Sequence, residues 1–185
     1  MDPSTNLKLC MSKGKSSILF SATFLPIQYY KSLLSTEKEN YAIYAQSTFK
    51  EEQRLLAFGT DVSTKYTRRN VSEFKKMAQY IVKTIHCKKG NYMVFFPSYK
   101  LMNQVYEIFL ELDGGKAESI VQENSMKEAD REAFLQKFDE QYDTSFVAFC
   151  VMGGIFSEGI DLTNDRLIGA IVVGTGLPQL SNERE

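Results

Sequence analysis

The chain has 185 residues, 43% hydrophobic and 24% charged, enough for one well-buried core and short for two. Its formal net charge of −1 excludes a whole-molecule field for polyanions, so any nucleic-acid surface has to be a local patch. Cys10, Cys87 and Cys150 show no CxxC spacing, which argues against a disulfide framework or a zinc site, and no run approaches the length of a membrane span. A soluble cytoplasmic protein is the expectation.

In chain order, Ser12-Lys13-Gly14-Lys15-Ser16 has a phosphate-loop flavour, but position 9 is Leu9 where that motif needs glycine, and no strand precedes it. It reads as a solvated linker. Residues 17–23 form an apolar run closed by small polar residues, the pattern of a buried strand ending in a loop. Pro26 then opens a helix carrying Ile27, Tyr30, Leu33 and Leu34, and Tyr41 to Ala45 alternates like a strand. From Gln46 to Asn70 the pattern weakens, with a short strand expected near Leu56.

Asn70 and Glu73 have capping-box spacing before a helix whose apolar face is Val71, Phe74, Ala78, Ile81, Val82 and Ile85, with Gly90 as its stop. Tyr92 to Phe96 reads as a buried strand. Ser98 caps the next helix, striped by Leu101, Val105, Ile108, Phe109 and Leu112 and ended by Gly114 and Gly115. Ala117 to Val121 is a further strand, Ser125 with Glu128 a second capping box, and Ala129, Ala133, Phe134 and Phe138 the buried face of the helix after it. The runs Phe146 to Cys150 and Leu167 to Val173 complete the alternation. Strands separated by amphipathic helices imply an α/β fold of three layers, a mostly parallel central sheet flanked by helices. Tyr29, Tyr30, Phe95, Phe96, Phe109, Phe134 and Phe138 belong to its core by their spacing.

The segment from Val151 to Asp161 lies between two of these apolar runs and holds Gly153, Gly154 and Gly159 beside Glu158 and Asp161. Open α/β sheets present their sites in such loops at strand ends. The local basic patch is Lys65, Tyr66, Arg68 and Arg69, a mix suited to phosphate contact and base stacking. His86, the one histidine, falls at a helix end, where exposure or a favourable dipole interaction is expected.

Three segments form an ordered set: Ser21-Ala22-Thr23, then Phe95-Phe96-Pro97-Ser98-Tyr99, then Ser157-Glu158-Gly159-Ile160-Asp161, followed by Gly174-Thr175-Gly176-Leu177-Pro178. In this order they resemble motifs III, IV and V of the XPD/DinG family of superfamily 2 DNA helicases, in wording close to the bacterial DinG branch. The resemblance implies a RecA-like domain, of the fold shared by P-loop nucleotide hydrolases. Residues 1–24 would then be a linker plus the motif III strand from the end of the first motor domain, and residues 25–185 the second RecA-like domain up to motif VI. The family's phosphate loop, metal-binding motif II and arginine-bearing motif VI have no counterpart in these residues.

By that resemblance the full-length protein is an ATP-dependent helicase translocating 5′ to 3′ on single-stranded DNA in repair or replication, using ATP and Mg2+. Many members carry an iron–sulfur cluster in the first motor domain, and these cysteines supply none of its ligands. Ser21, Ala22, Thr23, Glu158, Gly159 and Asp161 would sense nucleotide and couple it to DNA, whereas Arg68, Arg69, Ser98, Tyr99 and Ser157 would contact DNA. The partners implied are single-stranded DNA and the first helicase domain of the same polypeptide, at the bacterial nucleoid, with no membrane. No complete catalytic set and no metal site is expected in this chain, which alone should be inactive. Without the resemblance, Ser98 is a helix cap, the glycines are turn residues and the two arginines a solvated face. A non-catalytic module that binds nucleic acid or protein through a RecA-like fold is the alternative.

Overall fold

The computed structural model describes residues 4–34, 40–47, 49–157 and 159–175. It divides into two compact units, Met1–Leu56 and Ala57–Glu185. In the first, the described residues form helices α1 (Ser4–Met11) and α2 (Ile27–Leu33) and a 3-10 turn at Glu51–Gln53, with no buried residue in any of them. Pro26 sits at the N-cap of α2, where its missing N–H costs nothing.

The strands expected at 17–23, 41–45 and near Leu56 do not form. Ile18, Phe20, Tyr41, Ile43, Leu55 and Leu56 stand exposed, and so does Tyr29, which the sequence pattern assigns to a core. An apolar alternating run has strand character only when a second strand satisfies its ladder, and no described strand pairs with these runs.

The second unit contains α3 (Val71–Cys87), β1 (Asn91–Phe96), α4 (Tyr99–Asp113), β2 (Glu118–Val121), α5 (Glu128–Gln136), β3 (Phe146–Val151) and β4 (Gly169–Val172). Its strands form one parallel sheet in the order β2-β3-β1-β4, with Phe96 opposite Val151, Phe95 opposite Val172 and Val121 opposite Phe149. The pleat sorts the core into two. Tyr92, Val94, Phe96, Val147, Phe149 and Val151 pack on one face against α3 and α4, while Met93, Phe146, Ala148 and Cys150 meet Phe134, Phe138 and Phe156 on the other. Phe149 is central, its ring 5.9, 4.9 and 5.0 Å from those of Phe96, Tyr106 and Phe109. The Cys150 thiol is fully buried, and desolvation pushes its pKa up to about 12.

Both long helices start where their caps predict. The Asn70 side chain accepts from the Glu73 N–H at 3.0 Å, and Ser98 Oγ accepts from the Leu101 N–H at 3.3 Å. Gly114 ends α4 with φ of 64°, in the left-handed conformation glycine adopts freely. Helix α3 ends at Cys87, before Gly90. The capping box expected at Ser125 does not form: α5 starts at Glu128, and Asp130 Oδ2 takes the Lys127 N–H at 2.9 Å instead. That register leaves Ala129 and Ala133 exposed and turns only Phe134 of α5 inward.

Candidate functional site

Parallel strands end on one edge of their sheet, so the segments after β1, β2, β3 and β4 and the starts of α4 and α5 gather there. Ser98 is the first residue of interest along this edge. Its hydroxyl is occupied by the helix cap, which leaves the early N–H groups of α4 and the positive end of its dipole as the groups facing outward. The Tyr99 hydroxyl is tied down too, accepting from Gln122 Nε2 at 2.8 Å.

The segment after β3 is bound by its own backbone and by one arginine. Ser157 Oγ donates to the Val151 carbonyl at 3.3 Å and its N–H donates to the Gly154 carbonyl at 3.0 Å, so its polar groups turn into the loop. Arg131, reaching over from α5, donates to the carbonyls of Ile155 at 3.3 Å and Gly159 at 3.2 Å and pairs with Glu128 at 2.8 Å. Gly159 has φ of 69° with open space where a Cβ would lie, so its glycine is required by conformation and not by crowding. Asp161 is exposed, and its carbonyl accepts from Arg166 at 3.4 Å. Glu158 and the Gly176-Leu177-Pro178 turn lie outside the described residues.

The basic patch reaches the same edge through Thr64. A Cβ on Gly174, just beyond β4, would lie 2.6 Å from Thr64 Oγ1, and the Thr64 carbonyl accepts from Arg69 Nε at 3.2 Å. Arg69 also stacks its guanidinium 5.6 Å from the centroid of Tyr66, a ring that is 83% exposed and therefore open on its other face. Arg68 pairs with Glu73 at 3.3 Å while most of its side chain stays in solvent.

Glu73, only 5% exposed, organises this patch. It accepts the Ser63 N–H at 2.7 Å and faces Arg68 and, at 3.7 Å, Lys76. The Ser63 hydrogen bond, assisted by the two cations and opposed by desolvation, holds its carboxyl below the ordinary glutamate range. Lys76 also donates to the Asp61 carbonyl at 2.7 Å and the Tyr80 hydroxyl donates to the Asp61 carboxylate, which docks the strap before the patch onto α3.

Arg68, Arg69, Ser98, Tyr99, Ser157 and Gly159 thus flank the edge where the strands end, whereas Asp161 meets Arg166, whose carbonyl accepts from Asn91 at the start of β1 and whose side chain pairs with Asp139. Ser21, Ala22 and Thr23 belong to the other unit, where all three are exposed and Ser21 Oγ lies 3.0 Å from Thr23 Oγ1 in a local turn. Sequence patterns single out neither Glu73 as an anchor nor Gln122 and Arg131 at all, because a contact across elements leaves no local periodicity. His86 likewise finds a partner that spacing does not announce: its Nε2 is 2.8 Å from buried Asp113, whose other oxygen takes the Ala117 N–H. That pair sits beside a hollow of about 250 Å³ whose lining includes Lys89, Lys116 and Asp143, near the starts of β2 and β3.

No group of three or more His, Cys, Asp or Glu side chains able to hold a metal occurs among the described residues, and Cys10, Cys87 and Cys150 are all free. They do not fit an iron–sulfur cluster. No helix among the described residues is long and apolar enough to cross a membrane. The edge offers cations, an open aromatic face, helix N-termini and a glycine-rich loop. Those are groups suited to binding and positioning a phosphate or a base.

Known proteins are similar to this chain in sequence and fold. Over 93% of its length the chain is 25% identical to the ATP-dependent DNA helicase XPD of Sulfolobus acidocaldarius, covering 30% of that protein. It is 24% identical to the ATP-dependent DNA helicase CHL1 of Candida albicans over 96% of its length, covering 23% of that protein. The chain therefore spans about a quarter of the length of these curated relatives. The solved structure XPD_APO superposes with a TM-score of 0.62 at 24% identity, over 96% of this chain and 36% of the other. XPD_Helicase does so with a TM-score of 0.61 at 22% identity, over 96% of this chain and 31% of the other, and both likenesses bear on the fold, which is RecA-like. Residues 81–185, more than half of the chain and including every strand of the sheet, match the family described as the helicase C-terminal domain. The chain belongs to the helicase C-terminal domain family, in its XPD/DinG-like form.

Proposed function

We propose that this chain supplies the second motor domain of an ATP-dependent helicase that tracks single-stranded DNA, 5′ to 3′, in repair or replication. The observation that carries the reading is that a Tyr66–Arg69 stack, the capped start of α4 and the loop from Gly153 to Gly159 lie along the edge where the parallel strands end. Phosphates lie against Arg68, Arg69 and the N–H groups of α4, and a base stacks on the open face of Tyr66. Glu158, Gly159 and Asp161 have the role of sensing the nucleotide held between two motor domains, and Ser21, Ala22 and Thr23 couple that nucleotide to DNA. ATP and Mg2+ act in the full-length polypeptide, whose first motor domain is this chain's partner and, by family resemblance, carries any iron–sulfur cluster. A bacterial nucleoid location goes with this reading.

Anisotropy titrations of labelled oligo-dT against the chain, over about 50 to 200 mM salt where phosphate contacts weaken most visibly, test the surface. Arg68→Ala and Arg69→Ala should each lower the salt slope by about 0.7, one single-strand phosphate contact apiece. Affinity indifferent to both changes would sink the DNA assignment. In the full-length protein, Asp161→Asn should depress DNA-stimulated ATP hydrolysis; unchanged hydrolysis would favour the non-catalytic binding module.

A further inference from the structure

Gln122 follows β2 and is 3% exposed, in a place where a buried amide must find partners or cost stability. It finds them on two other elements. Its Oε1 accepts the Val151 N–H at 2.8 Å, at the very end of β3, and its Nε2 donates at 2.8 Å to the hydroxyl of Tyr99, the first residue of α4. The orientation of the amide is dictated by Val151, because a backbone N–H accepts nothing and so must face the oxygen.

The same amide controls the next turn of chain. A Cβ on Gly154 would lie 3.1 Å from Gln122 Nε2, so the backbone of the loop after β3 passes directly over it. The Tyr99 hydroxyl has its other contact, 3.5 Å long, with the Glu123 carbonyl. Gln122 therefore touches both the start of α4 and the root of the glycine-rich loop.

We infer that Gln122 is a positioning residue that transmits the placement of Tyr99 at the start of α4 to the loop from Val151 to Asp161. Movement of Tyr99 shifts the Gln122 amide, and the amide cannot move without loosening the Val151 N–H or pressing on Gly154. The value of this link to a motor rests on the reading above, in which DNA lies at α4 and nucleotide at the loop. The link itself is independent of that reading.

The test is amide hydrogen exchange read by NMR on the whole chain and on Tyr99→Phe, Gln122→Met and the double variant. Tyr99→Phe removes a hydroxyl that touches neither Val151 nor Gly154, yet it should speed exchange at both by about fivefold, the effect of one weakened hydrogen bond. The amides of Met93 and Val94 in β1 should not change, and Tyr99→Phe should add nothing once Gln122 is Met. Unchanged Val151 and Gly154 exchange in Tyr99→Phe overturns the inference, and this single variant decides the matter even if Gln122→Met fails to fold. Uniform acceleration that includes β1 overturns it as well, since that is general destabilisation. Saturating oligo-dT should alter exchange over 151–157 in the wild type and not in Tyr99→Phe; an equal response in both overturns the transmission. Failure of oligo-dT to bind, with the Tyr99→Phe effect intact, removes the DNA reading and leaves the bridge standing.

Discussion

Glu73 draws together a backbone N–H from Ser63 and the side chains of Arg68 and Lys76, and its carboxyl titrates low for that reason. The sign of the linkage is fixed by the direction of the shift. A folded-state pKa below the unfolded value, about 4.3, gives stability that is complete above that value and is lost as pH falls through the lower, folded one. Urea midpoints should therefore drop on acidification below about pH 4.5, and Glu73→Gln should flatten that drop. Parallel curves for the two proteins would refute the assignment. Asp61, lowered chiefly by the Tyr80 hydroxyl, and Glu140, lowered chiefly by Lys137, contribute in the same direction and explain why some slope should survive. Ser98 separates a cap from a phosphate contact at the scale of one residue. Ser98→Ala should cost about 1 kcal/mol of stability, read from the same urea curves. Ser98→Asp restores the cap but sets a negative charge where phosphate is proposed to lie, so it should keep stability while weakening oligo-dT binding. Wild-type affinity in Ser98→Asp would show that the start of α4 does not meet DNA.

The four strands and three α-helices among the described residues of the second unit are readable in one dimension because each finds its partner inside the unit. Asn70 and Ser98 cap α3 and α4 as their spacing demands, and the apolar runs 92–96 and 146–150 become the two central strands. The runs 17–23 and 41–45 have the same local character without a described pairing partner, and local character alone does not make a ladder. Ser125 failed as a cap for a smaller reason: Asp130 answers the Lys127 N–H, which starts the helix two residues later than a Ser125 cap would. Within the sheet, Phe149 on β3 is the residue through which α4 and β1 meet, with rings of Phe96, Tyr106 and Phe109 around it. Phe149→Ala should cost about 3–5 kcal/mol, measured by urea denaturation, because the surrounding rings cannot collapse into the space. A cost under about 1 kcal/mol would mean that the two layers pack far more loosely than this.

Over the whole molecule, parallel topology does what no motif does alone: it carries residues from Arg68 to Gly159 to one edge. That much of the site follows from recognising strands, since every parallel strand delivers its following loop to the same side. The anchors beneath the edge, Glu73, Gln122 and Arg131, were not legible, because each works by reaching a backbone group on another element. Phosphoryl transfer needs a phosphate cradle, a metal and a cationic finger about one γ-phosphate, and these residues provide binding groups only. The purified chain should accordingly show no steady-state ATP hydrolysis in a phosphate-release assay with or without oligo-dT. Turnover abolished by Asp161→Asn would contradict that expectation. The thiols add a consequence of another kind. Cys10 and Cys87 are open to solvent, whereas Cys150 lies sealed near the end of β3 with its proton held tightly. An alkylating reagent should consume the first two at once and reach the third only when the sheet parts, so the slow phase of that reaction keeps time for the breathing of the core.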